Sequence, residues 1–327
     1  MRIALVLNPL TDVNMRLARQ IGVTDIVAAL PPEQRGPVWD FMPLLQLRKR
    51  VEDAGLTLSV IESIPITDRV KLGLPGRDED IENYCQSIRN MGAAGIPILC
   101  YNFMAVFNWM RTSTGTRGRG GALVTSFDYN LVKNAPLTEA GQVFDQRMWD
   151  NFEYFLTRVV PVAEEAGVKL ALHPDDPPIS PIRGLARIMR SVDAFKRVIE
   201  MVPSDHNGIT FCGGCFAEMG ADLPATIRYF GERGKIFFAH FRNVKGTCPA
   251  FVESFHDDGD VDMAAVMQAY LDVGFEGPIR PDHVPTLEGE DNDRPGYTML
   301  GRLFAVGYMK GLLDALERDA RLLLTSP

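Results

Sequence analysis

The sequence contains no run of about 20 apolar residues, so a membrane-spanning helix is not expected. It also lacks a basic tract. Lysine and arginine number 34 against 42 acidic residues, and a net charge of −8 leaves no electrostatic footprint for a nucleic-acid or anionic-membrane partner. The densest basic cluster, Arg111, Arg117 and Arg119, sits among glycines and not on an amphipathic helix. Five cysteines in 327 residues are too few, and odd in number, for a disulfide framework. The N-terminal MRIALVLNPL has one basic residue and a short apolar run that reaches Pro9, without the small-residue cleavage pattern of a leader. No internal repeat or Ser/Gly linker divides the chain. These absences predict a cytoplasmic, reduced protein folded as one domain over 1–327.

What is present is an alternation of short apolar β-rich runs with longer helical patterns. The runs are Arg2–Leu7, Thr24–Ala28, Leu56–Ile61, Ile96–Tyr101, Val168–His173, Gly208–Cys212, Lys235–His240 and Pro278–Asp282. Between them, apolar residues recur at spacings of 3 and 4 over Asp40–Ala54, Asp78–Met91, Arg147–Ala166, Val261–Val273 and Tyr297–Leu316, the signature of a helix face. Such alternation indicates a parallel sheet with helical crossovers. The first strand–helix turn has no G-x-G-x-x-G, which argues against a dinucleotide fold. The chain exceeds the roughly 250 residues of a (β/α)₈ TIM barrel, and that α/β fold is the expectation. One connection is abnormal: about 45 residues, with TGTRGRGG near their centre, follow the fourth strand. Loops of that length are usually lids or mobile segments; the plainer alternative is a surface insertion.

Strands five to eight end in His173, Cys212, His240 and Asp282, each about one βα unit from the next. Barrel active sites form at the C-terminal ends of the strands, so this spacing places four metal-capable side chains around one point. Taken singly, each has an ordinary explanation: a hydrogen-bonded His, a packed Cys, a capping Asp. Four in consecutive register predict a metal site. Imidazole and thiolate suit Zn²⁺ or Fe²⁺, and the carboxylate admits Mn²⁺. Asp175 and Asp176, in HPDDPP, either orient a ligand imidazole or cap the turn before Pro177. Arg242 and Lys245, in HFRNVK, are candidates for holding a carboxylate, though surface solvation suits Lys245 better. His283 follows Asp282 directly, as a metal-adjacent acid/base group would, and Tyr297 comes after a polar loop on the same face. Glu253 and His256 lie in the loop after strand seven, where Asp258, Asp260 and Asp262 read as helix caps. Cys212 and Cys215 spell C-x-x-C, but no second such pair exists, and Cys215 reads as packing. Cys85 and Cys100 read as core; Cys248 and His206 receive no role.

The segments GVTDIVAAL, VIESIPITDRVKLGLPGRDEDIENYCQSIRNMG, CYNFMAVFNWMRT, LALHPDDPP, ITFCGG, HFRNVK, GDVDM, RPDH and RPGY, in this order, make the chain similar to the mannonate dehydratases, from about Leu17 to Leu313. The resemblance implies a xylose-isomerase-like (β/α)₈ barrel and one divalent metal, Mn²⁺ or Fe²⁺ with Zn²⁺ as a further option, on His173, Cys212, His240 and Asp282. It also implies His283 and Tyr297 as the catalytic pair, removing water from D-mannonate to give 2-keto-3-deoxy-D-gluconate in hexuronate catabolism. Asn102, Arg242, Asn243 and Arg294 are the expected substrate contacts, and a homo-oligomer is expected. The chain departs from the family pattern at Ala105 and Asn108, where Pro and Asp are usual, and at Val284-Pro285, where Gly-Arg is usual. It also lacks the Arg-Trp-Tyr stretch at the first strand and has a different loop after Thr112. These departures touch the substrate pocket and leave the metal residues intact. They admit two other readings: a related dehydratase, epimerase or isomerase on another polyhydroxy acid or sugar, or a non-catalytic sugar-acid-binding barrel.

Overall fold

The computed structural model describes residues 1–325. In chain order the strands are β1 (Arg2–Val6), β2 (Asp25–Ala28), β3 (Thr57–Glu62), β4 (Ile98–Tyr101), β5 (Ser113–Arg117), β6 (Leu123–Asp128), β7 (Lys169–Leu172), β8 (Asn207–Cys212), β9 (Ile236–Phe241), β10 (Val244–Thr247), β11 (Ala250–Glu253) and β12 (Pro278–Pro281). The helices are α1 (Asp12–Gln20), α2 (Phe41–Asp53), α3 (Asp68–Leu72), α4 (Arg77–Ala93), α5 (Asp145–Ala166), α6 (Val192–Met201), α7 (Gly213–Glu218), α8 (Leu223–Gly231), α9 (Met263–Asp272) and α10 (Met299–Thr325). Eight parallel strands close a barrel in the order β1-β12-β9-β8-β7-β4-β3-β2. These are the eight runs seen in the sequence, with ends moved by a residue or two. Helices α1, α3, α6, α7 and α8 were not expected; they are short, and a short helix gives the periodicity little room to show.

The connection after the fourth strand differs from expectation. It carries β5 and β6, which join β10 and β11 in a second, antiparallel sheet of order β10-β11-β6-β5. Its central pairing sets Phe127 against Phe251 and Ser126 against Val252. Partners this far apart in sequence leave no local signature, and the glycines of TGTRGRGG hide the alternation. Glu253, read from the sequence as a loop residue, is therefore the last residue of a strand. Of the three aspartates read as caps, Asp262 alone caps α9, accepting from Ala265 N at 2.9 Å. Asp260 accepts from Gly246 N at 2.7 Å, and Asp258 pairs with Lys245 at 3.0 Å on the surface.

Side chains two apart on a strand share a face, and this sets the layering inside the barrel. Ala4, Val27, Val60, Ile98, Cys100, Ala171 and Phe238 form an apolar cluster apart from the larger core between strands and helices. One step toward the C-terminal rim, the positions after Val60, Ala171 and Phe238 are Glu62, His173 and His240. Arg280 and Asp282 likewise share a face of the last strand. The interior is thus an apolar floor beneath a polar layer, as a filled barrel with its site on top requires.

Outside the barrel, α4 lies so close to α5 that a Cβ on Gly92 would collide with the backbone carbonyl of Ala166. Because a carbonyl cannot rotate away, Gly92→Ala is expected to destabilise the fold by about 1–3 kcal/mol. A denaturant midpoint matching that of the unsubstituted protein would refute this packing.

Candidate active site and metal cradle

The four strand-end residues converge. His173 Nε2 lies 3.2 Å from His240 Nδ1, which is 3.6 Å from Asp282 Oδ2, which is 3.8 Å from Cys212 Sγ. Four ligands placed tetrahedrally at about 2.0–2.3 Å from a metal stand about 3.3–3.8 Å apart, so these separations suit a cation at the centre.

The tautomers add a second fit. The His173 Nδ1–H donates to Pro174 O at 2.7 Å, because a carbonyl only accepts, and this leaves the Nε2 lone pair facing inward. His240 turns Nε2 toward Glu62 Oε1 at 3.5 Å and Nδ1 toward the centre. Two imidazole nitrogens therefore face each other across 3.2 Å, beside a thiol and a carboxylate. The charge states favour a cation too. Burial works against ionising Cys212, yet hydrogen bonds with Cys215, His173 and His240 hold its thiol well below the ordinary value. Asp282 is buried as well, but His283, Arg280 and His240 keep its carboxyl far below the usual carboxylate range. Burial lowers His173, but Cys212 and Asp282 outweigh this and raise it to about 9, so in their field Nε2 holds at neutral pH a proton that a cation would displace.

The second half of the site is the pair His283 and Tyr297, whose Nε2 and Oη are 3.1 Å apart. His283 Nδ1 is 2.9 Å from Glu253 Oε1. Glu253 also accepts from Arg111 Nη2 at 2.7 Å and Arg242 Nε at 2.8 Å. Burial opposes its ionisation, but Arg242, His283 and Arg111 hold its pKa down. An ionised Glu253 fixes the proton of His283 on Nδ1, so Nε2 faces the cavity as a lone pair. Burial, with the charge of Asp282, pushes the Tyr297 hydroxyl well above its ordinary pKa. His283 adopts φ 26°, a region non-glycine residues seldom enter. It is held there by Val284 N donating to Gly296 O at 2.8 Å. Gly296, at φ +85°, lets the chain pass against the imidazole; a Cβ there would lie 3.3 Å from His283 Cδ2.

Both halves line one cavity of about 180 Å³, whose wall includes His173, His240, Asp282, His283, Tyr297 and Asn102. Of the expected substrate contacts, Asn102 alone lines it. Arg242 does not. Its guanidinium is fully buried behind the cradle, bonded to Glu253, Asp176 and Glu218 and 3.7 Å from Cys212 Sγ, so it has no free fork for a substrate carboxylate. Asn243 is a loop staple: its amide donates to His256 O and Val261 O, and its oxygen accepts from Val244 N and Val261 N. Arg294 donates to Asn8 O, away from the cavity wall. Asp175 accepts from Met189 N, and Asp176 pairs with Arg111 and Arg242; His173 takes its orientation from Pro174 O instead. Cys215 is buried 3.5 Å from Arg242 Nη1.

Four contributors went unassigned in the sequence. Arg280 donates to Asp282 Oδ1 at 2.8 Å and Glu62 Oε1 at 2.9 Å, linking the cradle to β3. Its signal was its place two residues before Asp282, on the same strand face. Glu62 ends its strand as the ligands end theirs. Arg111 and Glu253 had no such signal, because the second sheet delivers them.

A family model described as D-mannonate dehydratase (UxuA) matches residues 6–140 and 136–322. The chain is 40% identical to a mannonate dehydratase of Thermotoga maritima over 342 residues, covering 94% of each chain. It is 39% identical to mannonate dehydratase 2 of Halalkalibacterium halodurans, covering 94% of this chain and 97% of that one. The solved mannonate dehydratase of Streptococcus suis serotype 2 superposes with a TM-score of 0.90 at 37% identity, covering 98% of this chain and 96% of that one. An L-ribulose 3-epimerase structure, at TM-score 0.64 and 18% identity, shares the fold.

Removing Arg280 strands the buried carboxylate of Asp282 and the half-buried one of Glu62, and breaking a buried pair typically costs about 3–5 kcal/mol. Arg280→Met is expected to lower stability by that order in denaturant unfolding, and a neutral result would mean that Glu62 and Asp282 are solvated. Glu253 and Asp176 have folded pKa values held below those of the unfolded chain. Their contribution is therefore present above about pH 4 and is lost as pH falls toward the folded values. Unfolding followed from pH 7 to pH 3 should show that decline; a flat profile would contradict the ion pairing.

Proposed function

Because the chain belongs to the mannonate dehydratase family, we propose that it removes water from D-mannonate to give 2-keto-3-deoxy-D-gluconate, with one divalent cation, Mn²⁺ or Fe²⁺, on His173, Cys212, His240 and Asp282. The observation that carries this reading is the shared cavity: His173, His240 and Asp282 of the cradle and the hydrogen-bonded His283–Tyr297 pair face the same 180 Å³. The donor set suits such a cation, and Zn²⁺ fits two imidazoles and a thiolate as well. When bound, the cation neutralises negative charge that develops next to the substrate carboxylate.

The protein side chains supply the proton traffic. His283 Nε2, with its other nitrogen tied to Glu253, takes the proton from C2, the carbon next to the carboxylate. Tyr297, whose hydroxyl burial keeps protonated, gives its proton to the C3 hydroxyl as the C3–O bond breaks. Water leaves, a C2–C3 double bond forms, and the resulting enol becomes the 2-keto acid. The direct His283–Tyr297 hydrogen bond lets the proton return, which closes the cycle without a bulk base. The whole of 1–327 acts here as one catalytic domain on a small-molecule sugar acid. Residence in the cytoplasm, a homo-oligomeric state and a place in hexuronate catabolism are expectations that accompany this reading. Among the described residues no helix is long and apolar enough to cross a membrane.

Asn108 stands on the cavity wall, and its departure from the family's usual Asp favours testing other acids alongside D-mannonate. The experiment is a 2-keto-3-deoxy acid assay on Mn²⁺- or Fe²⁺-loaded protein with C5 and C6 aldonic acids. D-Mannonate is expected to turn over at about 1 s⁻¹ or faster. No product from it, with metal content verified, would move the reaction to another polyhydroxy acid. Exhaustive chelation should abolish turnover; activity that survives it would remove the cation from the mechanism. Tyr297→Phe should lower kcat by about 10²–10⁴-fold while metal content stays unchanged. Unchanged kcat would leave Tyr297 idle and favour a binding barrel.

A further inference from the structure

A cavity of about 180 Å³ lies below the roughly 300 Å³ at which small-molecule pockets usually begin. A six-carbon acid that brings C2 and C3 to His283 and Tyr297, with a cation on the cradle, has little further space there. The structure provides the space. A second cavity of about 690 Å³ shares Glu62, Ser63, Asn102, Met104, Asn108 and Trp109 with the first, so the two form one channel. The wall of this vestibule contains Lys71, on α3, which is 7% exposed.

Lys71 is an unusual lining group. A buried ammonium needs hydrogen bonds and a counter-charge, and here Nζ makes one hydrogen bond, to Met104 O at 2.8 Å. Two of its three donors are left over. The acids in electrostatic reach are Asp68 and Asp175. Asp68 Oδ1 already accepts from Val106 N at 2.8 Å, and Asp175 Oδ2 accepts from Met189 N at 2.8 Å beside Arg187. Burial accordingly draws the Lys71 pKa down to about 8, against the pull of the two carboxylates. A ligand anion at Nζ would reverse that cost. Arg35, from the connection after the neighbouring strand β2, lines the same vestibule, where Glu62 is paired with Arg280.

We propose that Lys71 is the specificity residue for the distal end of the substrate, and that this site takes sugar acids bearing a second anionic group, a carboxylate or a phosphate, on the terminal carbon. Asn102, which lines both cavities and whose side-chain NH₂ has no protein partner among the described residues, marks the junction where the substrate passes from one to the other. The orientation rests on the reading above, in which the C1 carboxylate lies at the cation. The acidic end enters first, and the opposite end reaches Lys71.

The test is equilibrium binding to metal-loaded protein, in a Tyr297→Phe background so that ligand is not consumed. The ligands are D-mannonate, D-mannarate and D-mannonate 6-phosphate. A charge-assisted hydrogen bond to Nζ should give at least one distally charged acid a Kd about ten-fold below that of D-mannonate. The same preference should vanish when Lys71→Met is added. Tighter binding of D-mannarate alone assigns a dicarboxylate, and of the 6-phosphate alone a phosphorylated acid. The proposal is overturned if neither D-mannarate nor D-mannonate 6-phosphate binds more tightly than D-mannonate, a measurement that needs no lysine variant. It is also overturned if Lys71→Met weakens all three ligands equally. Turnover of D-mannonate by the unsubstituted protein, measured separately, distinguishes these failures from failure of the dehydratase reading.

Discussion

Two buried arginines hold the top of the molecule together. Arg242, in the turn after β9, and Arg111, just before β5, share Asp176 and Glu253, and Arg242 also reaches Glu218 on α7. The five groups come from four connections, those after β4, β7, β8 and β9, so the network fixes the second sheet to the barrel rim. Its charge balances if one acid stays neutral. Burial, reinforced by Asp176 and Glu253, pushes Glu218 well above the carboxylate range, which leaves two cations against two carboxylates. Buried pairs of this kind contribute little net stability against an apolar alternative, but breaking one is costly. What the network provides is position: Glu253 set against His283, and the Arg242 guanidinium set behind Cys212 Sγ.

The same logic recurs at each imidazole of the site. His173 is oriented by Pro174 O, His240 faces Glu62, and His283 is held by Glu253. For His173 and His283 an acceptor on the outer nitrogen turns the other nitrogen toward the site, the arrangement that metal ligation or proton abstraction requires. His256 follows the rule for a structural purpose. Its Nε2 meets Phe241 O at 2.7 Å, and burial lowers its pKa to about 4, so it stays neutral and tethers the loop to the strand carrying His240.

This explains which parts of the molecule the sequence exposed. The eight barrel strands and the convergence of His173, Cys212, His240 and Asp282 were readable because both obey local rules: strand runs are contiguous, and the rim residue is the last of each run. His283 and Tyr297 were readable through their adjacency to Asp282 and to the Gly296 turn. The second sheet was not, since Phe127 and Phe251 pair between the connections that follow the fourth and the seventh barrel strands. The partners of His283 were hidden for the same reason, as Glu253 and Arg111 reach it only because that sheet folds over the rim.

The substrate contacts show where side-chain chemistry alone misleads. Arg242 and Asn243 sit in HFRNVK immediately after a ligand, with the right chemistry to hold a carboxylate, yet both point away from the cavity. Strand alternation decides this. His240 faces the barrel axis, Phe241 faces the outer core, and the chain then turns out of the barrel before β10 begins, so the next residues serve the interface between barrel and second sheet. Position relative to the last barrel residue is a better guide than residue type. Glu62 and Asn102 satisfy it, at and just beyond the ends of β3 and β4, and both face the channel. Lys71 satisfies a different condition. It lies on the short helix that follows β3, close enough to the rim for a long side chain to return to the channel, and such a position is evident only once α3 is placed.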